Sequence, residues 1–266
     1  MAVIVLLELQ MPSAHSTPSK PPIVGNETAL KIAIIQSAYI PWKGFFDLIG
    51  RCDEYVIFDS VQFVKRHWHN RNRVKTANGP VWLTIPVATK SRYAQPISEV
   101  EVEGFWVGKH WRTLELAYRR APCFDSVAPL VRQWYDAAEK ETHLTQINRI
   151  FLKGIAGYLG LKTRFVPDTA YPAHGTKTER LLSIAKAAGA DCYLSGPSAR
   201  PYLQEDRFAA EGIVVEWMNY DHYPEYAQLH GAFEHQVSIL NLLFHLGDEA
   251  VCYCRQSSAS RAPGPA

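Results

Sequence analysis

Ile32-Ala33-Ile34-Ile35, the segment Gln36 to Ile49, and Tyr55-Val56-Ile57-Phe58 together decide the fold. The two apolar runs are short and rich in β-branched residues, the composition of strands buried on both faces. Between them Phe45, Phe46, Leu48 and Ile49 give Trp42 to Ile49 the spacing of a short helix. Strand, helix and strand in that order make a βαβ unit, which requires a parallel pair and a right-handed crossover. Asp59 closes the second strand.

The last third repeats the pattern. Asp191 to Leu194 and Ile213 to Trp217 read as strands, joined by the turn Ser195-Gly196-Pro197-Ser198 and a helix expected over Ala199 to Glu211 and closed by Gly212. Ahead of them Thr176 and Glu179 stand at capping-box spacing before Leu181, Leu182, Ile184, Ala185 and Ala188, with Gly189 as the stop. From Trp106 to Leu159 the pattern is helical, and Leu144, Ile147, Phe151, Ile155 and Tyr158 fall on one face. Val81 to Val87 and Ile97 to Val102 read as strands, with Pro86 and Pro96 at edges or ends, and His235 to Leu246 as a last helix. The expected fold is α/β: a mostly parallel, doubly wound, nucleotide-binding-like sheet with a helical insert at about 104–162. One domain is expected over 31–255, with 1–30 and 256–266 as disordered tails poor in periodic apolar residues.

Composition narrows the function classes. The 266 residues carry 28 Lys plus Arg against 26 Asp plus Glu, a net charge of +2. So even a balance provides no long-range field for nucleic acid or an anionic membrane, and neither is an expected partner. The five cysteines (Cys52, Cys123, Cys192, Cys252 and Cys254) are odd in number and lack C-x-x-C spacing. That argues against a disulfide framework or a structural zinc and fits reduced thiols in the cytoplasm. No apolar run approaches the roughly 18 residues of a membrane helix. The apolar start Ala2 to Leu7 lacks the basic flank of a signal peptide.

Ligands of parallel sheets bind beyond the carboxyl ends of the strands. Three segments leave such ends: Gln36 to Gly44, Asp59 to Asn72, and Ser195 to Tyr202. The second is densest, with Gln62, Asn70, Asn72, His67, His69 and the cations Lys65, Arg66 and Arg71 interleaved with Phe63 and Trp68. Embedded aromatics and side-chain amides suit oriented hydrogen bonding better than a merely solvated basic loop. Arg71 between two Asn can clamp a carboxylate or phosphate bidentately while the amides orient it. The catalytic assignments are therefore Asp59, as base or anchor, with Lys65 and Arg71 neutralising an anion. Substrate binding falls to Gln36, Tyr39, Pro41, Trp42 and Gly44, to Gln62, His69, Asn70 and Asn72, and to Ser195, Gly196, Ser198 and Tyr202. His67 and His69 have ligand types but unspecific spacing and no nameable third ligand, so no metal is assigned. The Ser195 turn reads equally as an anion site and as a plain turn with Ser198 as N-cap. The aromatic and polar stretch Trp217 to Tyr226 reads equally as a ligand wall and as a packed loop. There is no nucleophile elbow, Walker A motif or G-x-G-x-x-G.

Several of these residues also form a recognisable pattern: Gln36-x-x-Tyr39-x-Pro41-Trp42-x-Gly44-x-Phe46, Phe58-Asp59-x-Val61-Gln62-Phe63-x-Lys65 and Trp68-x-Asn70-Arg71-Asn72. Tyr193-Leu194-Ser195-Gly196 with Tyr202, and Ser238-Ile239-Leu240 ahead of Leu243-Phe244, continue it. Over nearly all of Lys31 to Gly247 the chain resembles the WbqC-like proteins of bacterial surface-polysaccharide and specialised-metabolite gene clusters. It departs at Ser37, where that family commonly has Pro. The resemblance carries over no residue with a known catalytic role. The arrangement also looks like the α/β fold of adenylate-forming and nucleotidyl-transferring enzymes, whose first strand-to-helix turn holds phosphate through histidines. Here Pro41-Trp42-x-Gly44 occupies that turn. The cofactor is left unknown, with ATP or another nucleotide as the candidate. The leading expectation is an enzyme transferring an acyl, aminoacyl or nucleotidyl group to a small metabolite or sugar intermediate. Its small-molecule substrate would be carrier-bound or nucleotide-linked. The alternative is a non-catalytic ligand- or partner-binding subunit, and a glycosyltransferase ranks lower because no Asp-x-Asp motif appears. Oligomeric state is left open.

Overall fold

The computed structural model describes residues 29–90, 92–221 and 223–254. The tail at 256–266, all but the last two residues of the tail at 1–30, and the Ala2 to Leu7 start lie outside the described residues. In chain order the first elements are β1 (Lys31–Ile35), α1 (Lys43–Gly50), β2 (Glu54–Ile57), β3 (Arg71–Thr76) and β4 (Gly79–Thr84). Three helices follow, α2 (Val107–Tyr118), α3 (Phe124–Ala138) and α4 (Leu144–Tyr158), then β5 (Arg164–Pro167) and α5 (Thr178–Ala187). The chain ends with β6 (Cys192–Ser195), α6 (Glu205–Ala210), β7 (Val214–Trp217), α7 (Leu240–Leu246) and α8 (Ala250–Tyr253).

Five strands form one sheet in the order β5-β2-β1-β6-β7, and every pairing is parallel. The class is α/β, as the opening βαβ pattern implies. Side-chain alternation divides the sheet's burial between two layers. Ile32 and Ile34 pack with Leu181, Ile184 and Ala185 of α5 and Phe208 of α6. Ala33 points the other way, into the larger core that Tyr55, Ile57, Phe46, Leu114, Val131, Phe151 and Leu243 share. Covering both faces is why the central strands β1, β2 and β6 read as short apolar runs, whereas the edge strands β5 and β7 are partly exposed. Gly189 stops α5 at φ 72°, with Ala190 N–H bonded to Ala185 O and Gly189 N–H to Lys186 O, a Schellman arrangement that satisfies the last carbonyls.

Several elements differ from the sequence-based expectation. Ile97 to Val102 is not a strand: Ile97–Glu99 is a 3-10 turn, and Glu101 and Val102 make only isolated bridges. The strand expected at Val81 to Val87 lies at Gly79–Thr84 and pairs antiparallel with Arg71–Thr76, so Arg71 and Asn72 belong to a hairpin instead of a loop. β5 has no counterpart in the expectation; it is a four-residue edge strand ending in Pro167, whose missing N–H an edge tolerates. The helix expected over Ala199 to Glu211 reduces to a 3-10 turn at Pro197–Ala199 and the short α6. The capping box at Thr176 does not form, because α5 begins at Thr178 after Lys177 at φ 49°. The last helix begins at Leu240, not His235.

Candidate active site

The turn after β1 is strained and clamped. Ile40, β-branched and fully buried, sits at φ 36°, a left-handed conformation costly for such a residue. Asn72 on β3 holds it there: its amide donates to the carbonyls of Tyr39 (3.1 Å) and Ile40 (2.9 Å). Ile239 N–H caps the carbonyl of Pro41 at 3.0 Å, and Tyr39 N–H bonds Trp68 O at 3.0 Å. The chain then turns into α1 at Gly44, where an added Cβ would lie 2.4 Å from the Trp42 ring. Glycine there lets the indole fold back over its own helix.

Behind the turn lies a buried polar network centred on Ser37. Its N–H donates to Asp59 Oδ1 at 2.8 Å, its Oγ accepts from Asn148 Nδ2 at 2.9 Å, and its carbonyl accepts from His69 Nδ1 at 3.1 Å. Thr145 Oγ1 donates to the other Asp59 oxygen at 2.5 Å, and Asn148 Nδ2 also bonds His69 O at 2.9 Å. The ends of β1 and β2, the start of α4 and the segment before β3 are thereby locked together. Because a carbonyl only accepts, His69 Nδ1 carries the proton and Nε2 presents a lone pair. Nε2 is buried and has no partner among the described residues. Burial holds the imidazole neutral, lowering its pKa to about 4.

His69 lines a cavity of about 480 Å³. Its floor is Ile35 to Ala38 at the carboxyl end of β1, and one wall is Pro41, Trp42 and Phe45. Asn72, His67 and Trp68 form a second wall, and Tyr220, Tyr223, His235 and Gln236 a third. Trp42 meets Tyr220 and Tyr223 edge-on, with ring centroids 5.2 and 5.7 Å apart. Tyr223 is pinned from behind by a 2.6 Å bond to buried Asp47, whose other oxygen accepts from Arg51 at 2.7 Å. His67 stacks against His69 at 4.5 Å, its pKa lowered by burial and then by the Arg71 charge. Burial and then the Lys43 charge lower His235. Among the described residues no carboxylate, ammonium or guanidinium lines the cavity, so its polar groups at pH 7 are amides, phenols, one hydroxyl and neutral imidazoles. Sheet order reverses between β1 and β6, and the cavity opens beside that point, the general position of ligand sites in open α/β sheets.

The WbqC-like family model matches residues 36–253, a span that opens on Gln36 at the cavity floor and takes in all three walls. The chain belongs to the WbqC-like protein family. It is also 46% identical over 230 residues to the uncharacterized protein Rv1507c of Mycobacterium tuberculosis (strain ATCC 25618 / H37Rv), a match covering 85% of this chain and 99% of that one. No solved structure matches it.

In this WbqC-like chain the residues singled out from sequence divide into two sets. Gln36, Pro41, Trp42, His69 and Asn72 line the cavity, with Gly44 beneath the Trp42 ring. Asp59 is buried behind it with both oxygens engaged. Tyr39 points into the core, where its hydroxyl bonds His110 Nδ1 (2.9 Å) and Tyr135 (2.7 Å). Asn70 is also buried, donating to Ile85 O at 2.8 Å. Gln62 and Lys65 are exposed, Gln62 bonding Tyr93 O at 3.0 Å, and Arg71 lies outside the lining, over Trp82. Ser195, Gly196, Ser198 and Tyr202 are not part of the lining, although Gly196 faces the Tyr220 hydroxyl. His235 and Gln236 escaped the sequence reading, as did Thr145 and Asn148, polar positions on a helix that otherwise reads as an apolar stripe. No three His, Cys, Asp or Glu side chains among the described residues are grouped to hold a metal ion.

Proposed function

We propose that this WbqC-like protein is an enzyme that transfers an acyl, aminoacyl or nucleotidyl group to a small metabolite or sugar intermediate bound in the cavity. The observation that carries the reading is His69: a neutral imidazole fixed in one tautomer, with an unpartnered Nε2, in the lining of a cavity at the reversal of strand order. Such a nitrogen can take the proton of a hydroxyl or amine as that group attacks. Aromatic walls would hold the acceptor, and Gln36 would orient it. In this reading Asp59 positions the site through Ser37 instead of touching substrate, and Arg71 and Lys65 serve charge outside the cavity. With the five strands of the sheet numbered in chain order, their order across it is 3-2-1-4-5, which supports a doubly wound, nucleotide-binding-like sheet and keeps a nucleotide as the candidate cofactor. Five free cysteines favour the cytoplasm as the setting, and the WbqC-like resemblance favours polysaccharide or specialised-metabolite biosynthesis.

The test has two stages. Nucleotides, sugar nucleotides and acyl carriers are screened by thermal shift, since a ligand at 100 times its Kd adds about 2.7 kcal/mol of stability. Turnover of the ligands that bind is then compared in wild type and His69→Gln. The expected result is a loss of about 10²–10⁴ in rate with ligand binding kept. Wild-type turnover by His69→Gln would remove the base from the mechanism. A second reading, a non-catalytic binding subunit, is favoured by the absence of charged groups among the described residues of the lining; it predicts a thermal shift with no turnover in wild type.

A further inference from the structure

Outside the cavity mouth, β3 and β4 present a surface that the acceptor site does not use. Arg73 stands directly across from Trp82 in the hairpin register, and Arg71, two residues before it, shares the outer face. The Arg71 guanidinium lies 4.0 Å from the centre of the Trp82 ring and that of Arg73 lies 5.8 Å away. Trp82 in turn packs against Trp68 at 5.3 Å, and Trp68 belongs to the cavity lining. Both indoles stay 42–44% exposed. Arg73 also donates to Gln236 at 2.9 Å, and Gln236 is lining as well. The surface is therefore continuous with the cavity at two points.

Its charge is unbalanced. Among the described residues neither Arg71 nor Arg73 is in an ion pair. Arg71 donates only to the carbonyl of Arg66, and the nearby Glu234 carboxylate is turned onto the Gln236 N–H at 2.7 Å. Exposed Arg66, whose carbonyl accepts from Arg71, adds a third cation beside them. Among the described residues, by contrast, none that lines the cavity carries a formal charge. A ligand filling both regions must be neutral at one end and anionic at the other. Each guanidinium donates once through Nη2, to Arg66 O or Gln236 Oε1, and has its Nε buried, which leaves its remaining terminal N–H groups for an anion, and two such groups match a multiply charged group better than one carboxylate.

We propose that the Trp68–Trp82 shelf, with Arg71 and Arg73, holds the phosphate-bearing part of a ligand whose neutral part occupies the cavity. The inference rests on the cavity being the ligand site and specifies the substrate as phosphate-linked. The phosphate can belong to a nucleotide or to a pantetheine-type carrier, and the probes separate these sources. Coenzyme A against pantetheine, UDP against uridine, and ADP against adenosine are titrated calorimetrically at low and high salt. At least one phosphorylated probe is expected to bind about tenfold or more tighter than its phosphate-free counterpart, a difference of about 1.4 kcal/mol. That margin is expected to shrink in high salt and to vanish in Arg71→Gln/Arg73→Gln. Arg207→Gln, an exposed arginine on α6, should keep it. No margin with any pair, or a margin that survives the double substitution, overturns the inference. The salt dependence is read on wild type and so stands even where the double variant folds poorly. Trp42→Ala tests the cavity separately: a shelf that fails while Trp42→Ala still abolishes binding leaves the cavity reading intact.

Discussion

Two imidazoles are held neutral by burial, His69 at the cavity and His110 in the core, both lowered to about 4. His110 Nε2 donates to Thr84 O at 3.1 Å, so its Nδ1 accepts from the Tyr39 hydroxyl. In the unfolded chain each ring takes up a proton near 6.5, but in the folded protein only near 4. Between those values the unfolded state binds more protons, so stability is full above about pH 6.5 and is lost as pH falls towards 4. The gap corresponds to about 3 kcal/mol per imidazole when fully expressed. Denaturant melts at pH 7.5, 5.5 and 4.5 should therefore show a steady decline, shallower by one proton in His110→Gln; level stability across that range would contradict the buried neutral state. The same argument puts the acid limb of any His69-dependent rate near 4, well below the usual histidine range.

The hairpin β3–β4 is what converts a strand end into a site. Its inner face carries Asn72, and its outer face carries the arginines and Trp82. Asn72→Ala removes three hydrogen bonds: two to the carbonyls of Tyr39 and Ile40, and one from Arg73 N–H at 2.7 Å. With two buried carbonyls left unpaired and Ile40 free to leave φ 36°, a loss of about 3 kcal/mol is expected in chemical denaturation. A change below about 0.5 kcal/mol would mean that the turn holds itself. This element was also the least legible in the sequence. Its strand Arg71-Asn72-Arg73-Val74-Lys75-Thr76 is mostly polar and charged, so apolar periodicity could not find it. The Asn78-Gly79 pair, with Gly79 at φ 91°, was the available signal, because a tight hairpin turn needs a residue that accepts positive φ. β1, β2 and β6 were readable because burial on both faces leaves a short apolar run, and β7, a partly exposed edge strand, from its β-branched residues. Of the site, the loop residues Gln36, Trp42 and His69 were readable from local chemistry. His235 and Gln236 were not, since tertiary packing alone brings them to the wall.

At the scale of the molecule, the thiols report how tightly the layers close. All five cysteines are free; Cys52, Cys192 and Cys254 are buried, Cys123 is half-buried and Cys252 is exposed. Burial pushes the Cys52 thiol up to about 12 and Cys192 to about 11, far from the thiolate that reacts. A thiol-specific chromophore should therefore label one cysteine quickly in the native protein and all five in denaturant, with Cys252→Ser removing the fast phase. Fast native labelling of several thiols would show that the layers open.

The central strand also sets a schedule. β1 pairs on one side with β2, which follows it closely, but on the other with β6, so Lys31 meets Cys192 only after most of the chain exists. The third cavity wall, from Tyr220 to Gln236, is made later still. A chain emerging from the ribosome therefore holds the strained turn and His69 long before it has anything to enclose them with, because such distant pairings close slowly. Binding competence should be the last property to appear during synthesis, and a nascent chain halted before Tyr220 should already possess its base and still have no room to use it.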